Sequence, residues 1–171
     1  MGPEFSDQPY SVFERLIDGV DHLDLKIYLY HIPQVSGVGL SIELVTRLRA
    51  AYPDIIVGIK DSSGDWDNTR RLLAIDGLIV YPGAELPVID AVRLGGPGCI
   101  SATANLNGGD IATVIDLCHE GKWDEAEAKH KAVREVRRVL VDDGAYVQNL
   151  IDRGPLAFAR AELATLDAVF E

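Results

Sequence analysis

The feature that most constrains this chain is a regular alternation of short β-forming runs with helix-forming stretches. Leu25 to His31 is rich in β formers and stops ahead of Pro33, as a strand would. Ile55-Ile56-Val57-Gly58-Ile59 is a continuous apolar run, the pattern of a strand buried on both faces. Leu78-Ile79-Val80-Tyr81 predicts a third strand, closed by Pro82-Gly83, and Gly98-Cys99-Ile100-Ser101 a short fourth. Helical patterns fill the spaces. Ser11 and Glu14 have capping-box spacing, and Ser41, Asp65 and Asp110 are placed to cap helices. A further helix from about Glu85 to Leu94 stops at Gly95-Gly96. Strands and helices alternating across short loops mean βαβ units and a parallel sheet.

The last third changes character. After a capping-box-like start at Asp124 and Glu127, Ala126, Val133, Val136 and Leu140 mark one long amphipathic helix. Gly144 breaks it, and Gly154-Pro155 precedes a final helical stretch, about Leu156 to Val169. Residues 1–5 look like a cloning scar. The expected organisation is therefore this scar, a β/α portion over residues 6–121, and a helical segment over 122–171.

Charge and length exclude several classes. Sixteen Lys and Arg against 27 Asp and Glu leave a net charge of −11, with no basic cluster. Such a surface repels nucleic acid and anionic membranes, so neither is an expected partner. No apolar run approaches the ~20 residues that span a bilayer. Cys99 and Cys118 are too few for a disulfide framework and lack metal-site spacing, which points to a reducing cytoplasm with no metal and no cofactor. A complete eight-stranded β/α barrel takes roughly 250 residues, so a chain of 171 cannot hold one.

In parallel β/α folds the functional groups gather at the carboxyl ends of the strands. Lys60 ends an otherwise apolar strand. A lysine among apolar groups loses solvation of its charged form, which frees a neutral amine for imine formation with a keto acid. The alternative is a strand-end lysine whose head reaches solvent. Tyr30 is either a proton relay beside a carbonyl or a packed strand aromatic. His31 reads as a satisfied interior histidine. Glu85, near a helix start, suits the helix dipole whatever its function. The two cysteines read as small buried residues. Gly95-Gly96-Pro97-Gly98 lacks the spacing of a phosphate loop.

Taken together these segments resemble a known family. Tyr30-His31-Ile32-Pro33 with Ser36-Gly37, then Val57-Gly58-Ile59-Lys60-Asp61-Ser62-Ser63-Gly64-Asp65, then Gly83, then Gly98-Cys99-Ile100-Ser101-Ala102-Thr103-Ala104-Asn105 are similar, in order and spacing, to the dihydrodipicolinate synthase / N-acetylneuraminate lyase family. The similarity runs over roughly residues 10 to 140. It implies a class I aldolase built on a (β/α)8 barrel with extra C-terminal helices. It implies that Lys60 condenses with pyruvate or another 2-keto acid and that Tyr30 shuttles protons. It further implies that Ser62 contacts substrate, that Gly83 and Ile100 line the pyruvate site largely through backbone, and that Glu85 stands among the substrate contacts.

Departures narrow the expectation. Val35 stands where the synthase branch carries an arginine, which argues against a dihydrodipicolinate synthase proper. Ala84-Glu85-Leu86 has one acid where sialate lyases show two, so a sugar-acid or other 2-keto acid aldolase fits better. From about Asp142 the sequence leaves the family's ending. The family's first four strands, with the Thr pair that grips the pyruvate carboxylate, have no counterpart here, so the four strands correspond to five to eight of the barrel. A half barrel leaves two open strand edges and an apolar concave face, which drive association. The expectation is therefore a truncated aldolase, weakly active or inactive alone and homo-oligomeric through its exposed edges. The rival from another class is a non-catalytic half barrel that self-associates or complements a separate N-terminal half. A third is an unrelated parallel α/β binding domain with a chance lysine.

Overall fold

The computed structural model describes residues 8–20, 22 and 24–139. Residues 1–5, read from the sequence as a scar, Leu140, the break expected at Gly144 and the helix expected near 156–169 lie outside the described residues. The chain divides into two compact units, Met1–Ile100 and Ser101–Glu171.

In the first unit, β1 (Ile27–His31), β2 (Ile56–Asp61) and β3 (Ile79–Pro82) form a parallel sheet in sequence order. Between them run α2 (Pro33–Ser36), α3 (Ile42–Ala51) and α4 (Trp66–Leu73), with α1 (Gln8–Val20) before the sheet and α5 (Val88–Arg93) after it. This is the expected α/β alternation. Local chemistry sets the boundaries. The Ser41 hydroxyl accepts from Leu44 N at 3.2 Å and starts α3. The Asp65 carboxylate accepts from Asp67 N and Asn68 N and starts α4. Pro33 opens α2, and Gly37, at φ +69°, closes it with an N–H bond to Pro33 O.

Side-chain alternation divides the sheet into two unlike faces. Leu29, Ile59 and Val80 point to the helix side and are buried. They pack with Ile17 of α1, Leu44, Val45 and Leu48 of α3 and Leu72 of α4 in one core. Tyr28, Tyr30, Gly58, Lys60, Ile79 and Tyr81 point the other way. Tyr28 is 49% exposed, Tyr30 51% and Ile79 39%. Gly58 has no room for a side chain: a Cβ there would overlap the Tyr28 ring and come within 2.6 Å of Ile79 O. The Tyr28 and Tyr81 rings meet beside it, 6.2 Å apart at 50°.

The second unit carries α6 (Ala104–His119) and α7 (Trp123–Arg137), packed on each other. Gly121, at φ +76°, turns the chain between them. Ile111, Val114 and Cys118 of α6 are buried, as are Ala126, His130, Val133 and Val136 of α7. The expected apolar stripe of the last helix is thus present as far as Val136.

Five sequence expectations need correction, the first at α7, which starts at Trp123 behind Lys122 with no side-chain cap, so that Asp124 lies inside its first turn. Gly98–Ser101 forms no strand. Ile100 N donates to Pro82 O at 3.0 Å, but Pro82 has no N–H with which to extend the ladder. Ser11 lies inside α1, because the helix begins at Gln8 and takes Pro9 in its first turn, where a missing N–H costs nothing. Asp110 lies inside α6, just past a kink at Asn107 (φ −122°, ψ 31°), and pairs with Lys129 at 2.6 Å rather than capping the helix. The helix expected from Glu85 starts at Val88, behind Pro87.

Candidate active site

The parallel register sets Tyr30 beside Lys60 and Lys60 beside Tyr81, on the open face at the carboxyl end of the sheet. The half-buried Lys60 places its Nζ over the Tyr30 ring, 4.5 Å from the centroid, a cation–π contact. The Tyr30 phenol is held below its ordinary value of 10.0. The neighbouring Ser62 hydroxyl is the main cause and neighbouring Lys60 the next, while slight burial works the other way. Amine, phenol and hydroxyl therefore act on one another.

Backbone bonds fix the chain that carries them. Ser62 N donates to His31 O at 2.8 Å, and Gly83 N donates to Asp61 O at 2.6 Å. Gln34 of α2 reaches across to donate from Nε2 to Ser62 O at 2.6 Å. Gly83 lies against Ser62: a Cβ at residue 83 would overlap the Ser62 side chain and come within 2.7 Å of its Cα. Only glycine lets β3 end this close to the Ser62 loop.

Of the residues singled out in the sequence, the structure thus groups Lys60, Tyr30, Ser62 and Gly83. Ile100 joins through its N–H bond to Pro82, next to Gly83, with its side chain 43% exposed. Glu85 does not join them on the open face. It is fully buried and couples electrostatically to Cys99, whose thiol is pushed up to about 12 by burial first and by Glu85 second. His31 is buried and accepts from Leu40 N on Nδ1 at 2.9 Å, which fits the interior role expected of it. Ser101, Thr103 and Asn105 belong to the second unit, where Ser101 and Thr103 share a hydroxyl bond at 2.9 Å. No group of three or more metal-ligating side chains occurs among the described residues.

Sequence reasoning missed two contributors. Gln34 was unremarkable in a loop-like stretch. Asp61 had an available signal: a carboxylate directly after a lysine on an alternating strand must face inward and needs donors there.

A lysine, a tyrosine and a serine thus gather at the carboxyl ends of adjacent parallel strands. The chain belongs to the dihydrodipicolinate synthetase family, whose model matches residues 9–151. An uncharacterised DapA-like lyase from Chloroflexus aurantiacus is 31% identical over 143 residues, covering 80% of this chain and 48% of that protein. A putative dihydrodipicolinate synthase from Thermus thermophilus superposes with a TM-score of 0.71 at 27% identity, covering 93% of this chain and 59% of that one. A prophage protein of the dihydrodipicolinic acid synthase family from Escherichia coli, solved in complex with pyruvate, gives a TM-score of 0.71 at 22% identity, covering 82% and 48%. The chain spans about half the length of the curated relatives it matches. The three-stranded parallel sheet agrees with part of a family barrel. No helix among the described residues is long and apolar enough to cross a membrane.

Proposed function

We propose that this chain carries the imine-forming part of a class I aldolase site, acting on pyruvate or a related 2-keto acid. The observation that carries the reading is the placement of Lys60 Nζ 4.5 Å over the Tyr30 ring on the open face of the sheet. Lys60 gives its proton to the Tyr30 phenolate, its neutral amine attacks the keto carbon, and the carbonyl oxygen takes protons and leaves as water to give a protonated imine. The imine withdraws electrons, so the adjacent methyl group gives up a proton. The enamine formed adds to an aldehyde, and the reverse steps cleave a longer 2-keto acid. Tyr30, its phenol acidified by Ser62 and Lys60, moves the proton. Ser62 contacts substrate, and Gly83 and Ile100 line the site by backbone. Glu85 is a substrate contact on the resemblance alone, and its burial requires it to turn outward first.

The three strands with the Ile100 segment correspond in this reading to strands five to eight of the family barrel. The carboxylate grip of the first four strands is outside the chain, so activity alone is weak or nil. Cys99 and Cys118, both thiols outside any disulfide, fit a reducing cytoplasm. A second reading, a non-catalytic half barrel that self-associates or complements an N-terminal half, is favoured by the exposed Tyr28 and Ile79 on the open face. Either reading predicts an oligomer, and a clean monomer on sizing would contradict that element.

Reductive trapping separates the readings. Pyruvate with sodium borohydride should add one reduced pyruvyl group to the wild-type chain and none to Lys60→Met. An adduct that appears only after a first-half chain is added would favour complementation. No adduct under either condition would end the catalytic reading.

A further inference from the structure

The residue after the lysine is itself part of the device. Strand alternation sends Lys60 to the open face and Asp61 to the helix side, where only 3% of it is exposed. A carboxylate there is costly unless donors surround it. Asp61 has three. Oδ1 accepts from Ser63 N at 3.0 Å, and Oδ2 accepts from Asn68 Nδ2 at 3.1 Å and from the buried Thr69 hydroxyl at 2.7 Å. Asn68 and Thr69 sit in the first turn of α4, the turn that Asp65 caps. One side chain thus ties the end of β2 to the start of α4.

The residues between those anchors are Ser62, Ser63 and Gly64. Bonds to Asp61 therefore fix the path of the loop that carries the Ser62 hydroxyl. The peptide that leads into it is held on both sides as well, with Ser62 N donating to His31 O and Asp61 O accepting from Gly83 N. We propose that Asp61 is a positioning residue: its buried carboxylate, gripped by Ser63, Asn68 and Thr69, sets the Ser62 hydroxyl against the Tyr30–Lys60 pair. Asp61 touches neither Tyr30 nor Lys60 through its side chain. It acts through Ser62.

This deepens the proposed aldolase reading but its test needs no substrate. The observable is the ionisation of the Tyr30 phenol, followed by ultraviolet absorbance and isolated by subtracting the Tyr30→Phe titration. Ser62→Ala sets the scale by removing the main acidifying contact, so its phenol titrates closer to 10.0. Asp61→Asn should move the phenol the same way, because its NH2 replaces one accepting oxygen and must face a donor, Ser63 N or the Asn68 and Thr69 pair. The double variant should move it no further than Ser62→Ala alone. Thr69→Val is the milder companion should Asp61→Asn fail to fold. It should give a smaller upward shift, and Thr69→Ser, which keeps the hydroxyl, should restore the wild-type value. A Tyr30 titration unchanged in folded Asp61→Asn or Thr69→Val overturns the proposal, as does a double variant whose shift is the sum of the singles. Trapping with pyruvate on the same samples reports separately on the aldolase reading, which can fail while the titration shifts as expected.

Discussion

The two faces of the sheet are made by the same strands, one residue out of step, and they could hardly differ more. Leu29, Ile59 and Val80 on the helix side are at most 2% exposed and sit in a single apolar core. Tyr28, Tyr30, Lys60 and Tyr81 on the other side carry polar ends, and two of the tyrosines are about half exposed. The first face holds the fold by removing apolar surface from water. The second holds little surface away from water but brings an amine, a phenol and a hydroxyl to one place. Stability and chemistry are therefore separable by a single step along β2, from Ile59 to Lys60.

Substitutions on adjacent residues should break this comparison if it is wrong. Ile59→Ala, at a site with no exposure, should cost roughly 2–5 kcal/mol by denaturant unfolding, from lost transfer and a cavity. Lys60→Met should abolish trapping yet shift stability by only about 0.5–1 kcal/mol, the worth of a surface cation–π contact. Equal destabilisation by both would show that the open face also carries the fold.

Gly58→Ala tests the boundary between the faces. The new methyl meets the Tyr28 ring and the Ile79 carbonyl, and the carbonyl belongs to the backbone of β3 and cannot turn aside. A loss of about 1–3 kcal/mol is expected, measured by the same unfolding curves, with α3 and α4 intact by circular dichroism. Asp65→Ala should cost about 1 kcal/mol through the lost helix cap.

The smallest effect is a pH dependence. The Tyr30 phenol lies below 10.0, so the folded chain binds the phenolate better than the unfolded chain does. The stabilisation this gives is fully present above pH 10 and is lost as pH falls through the folded value. It should shrink in Ser62→Ala, where Lys60 alone still favours the phenolate, and unfolding curves on either side of pH 10 would check it.

Much of this was legible in the sequence, for identifiable reasons. The run from Ile55 to Ile59 announced a buried strand, and Lys60 stood out as the charge that ended it. Ser41 and Asp65 announced their helices because a cap is a local event between neighbours. The fourth strand was not legible as absent, since Gly98 to Ser101 has strand-like residues and the missing donor belongs to Pro82 on the strand beside it. Glu85 reads from the sequence as a carboxylate suited to a helix dipole, and its burial is set by tertiary packing. The Ser62–Gly83 contact was hidden likewise, because it depends on two strand ends meeting.

On the proposed reading, the open face singles out one amine. The chain has five lysines, and three of the others are engaged elsewhere: Lys26 with Asp54 O, Lys122 with Glu120 and Lys129 with Asp110. Peptide mapping after borohydride reduction with excess pyruvate measures where the adduct falls. It should sit on Lys60 alone, with Lys26, Lys122, Lys129 and Lys131 unmodified at the same exposure time. An adduct spread over the lysines, or one that avoids Lys60, would contradict it.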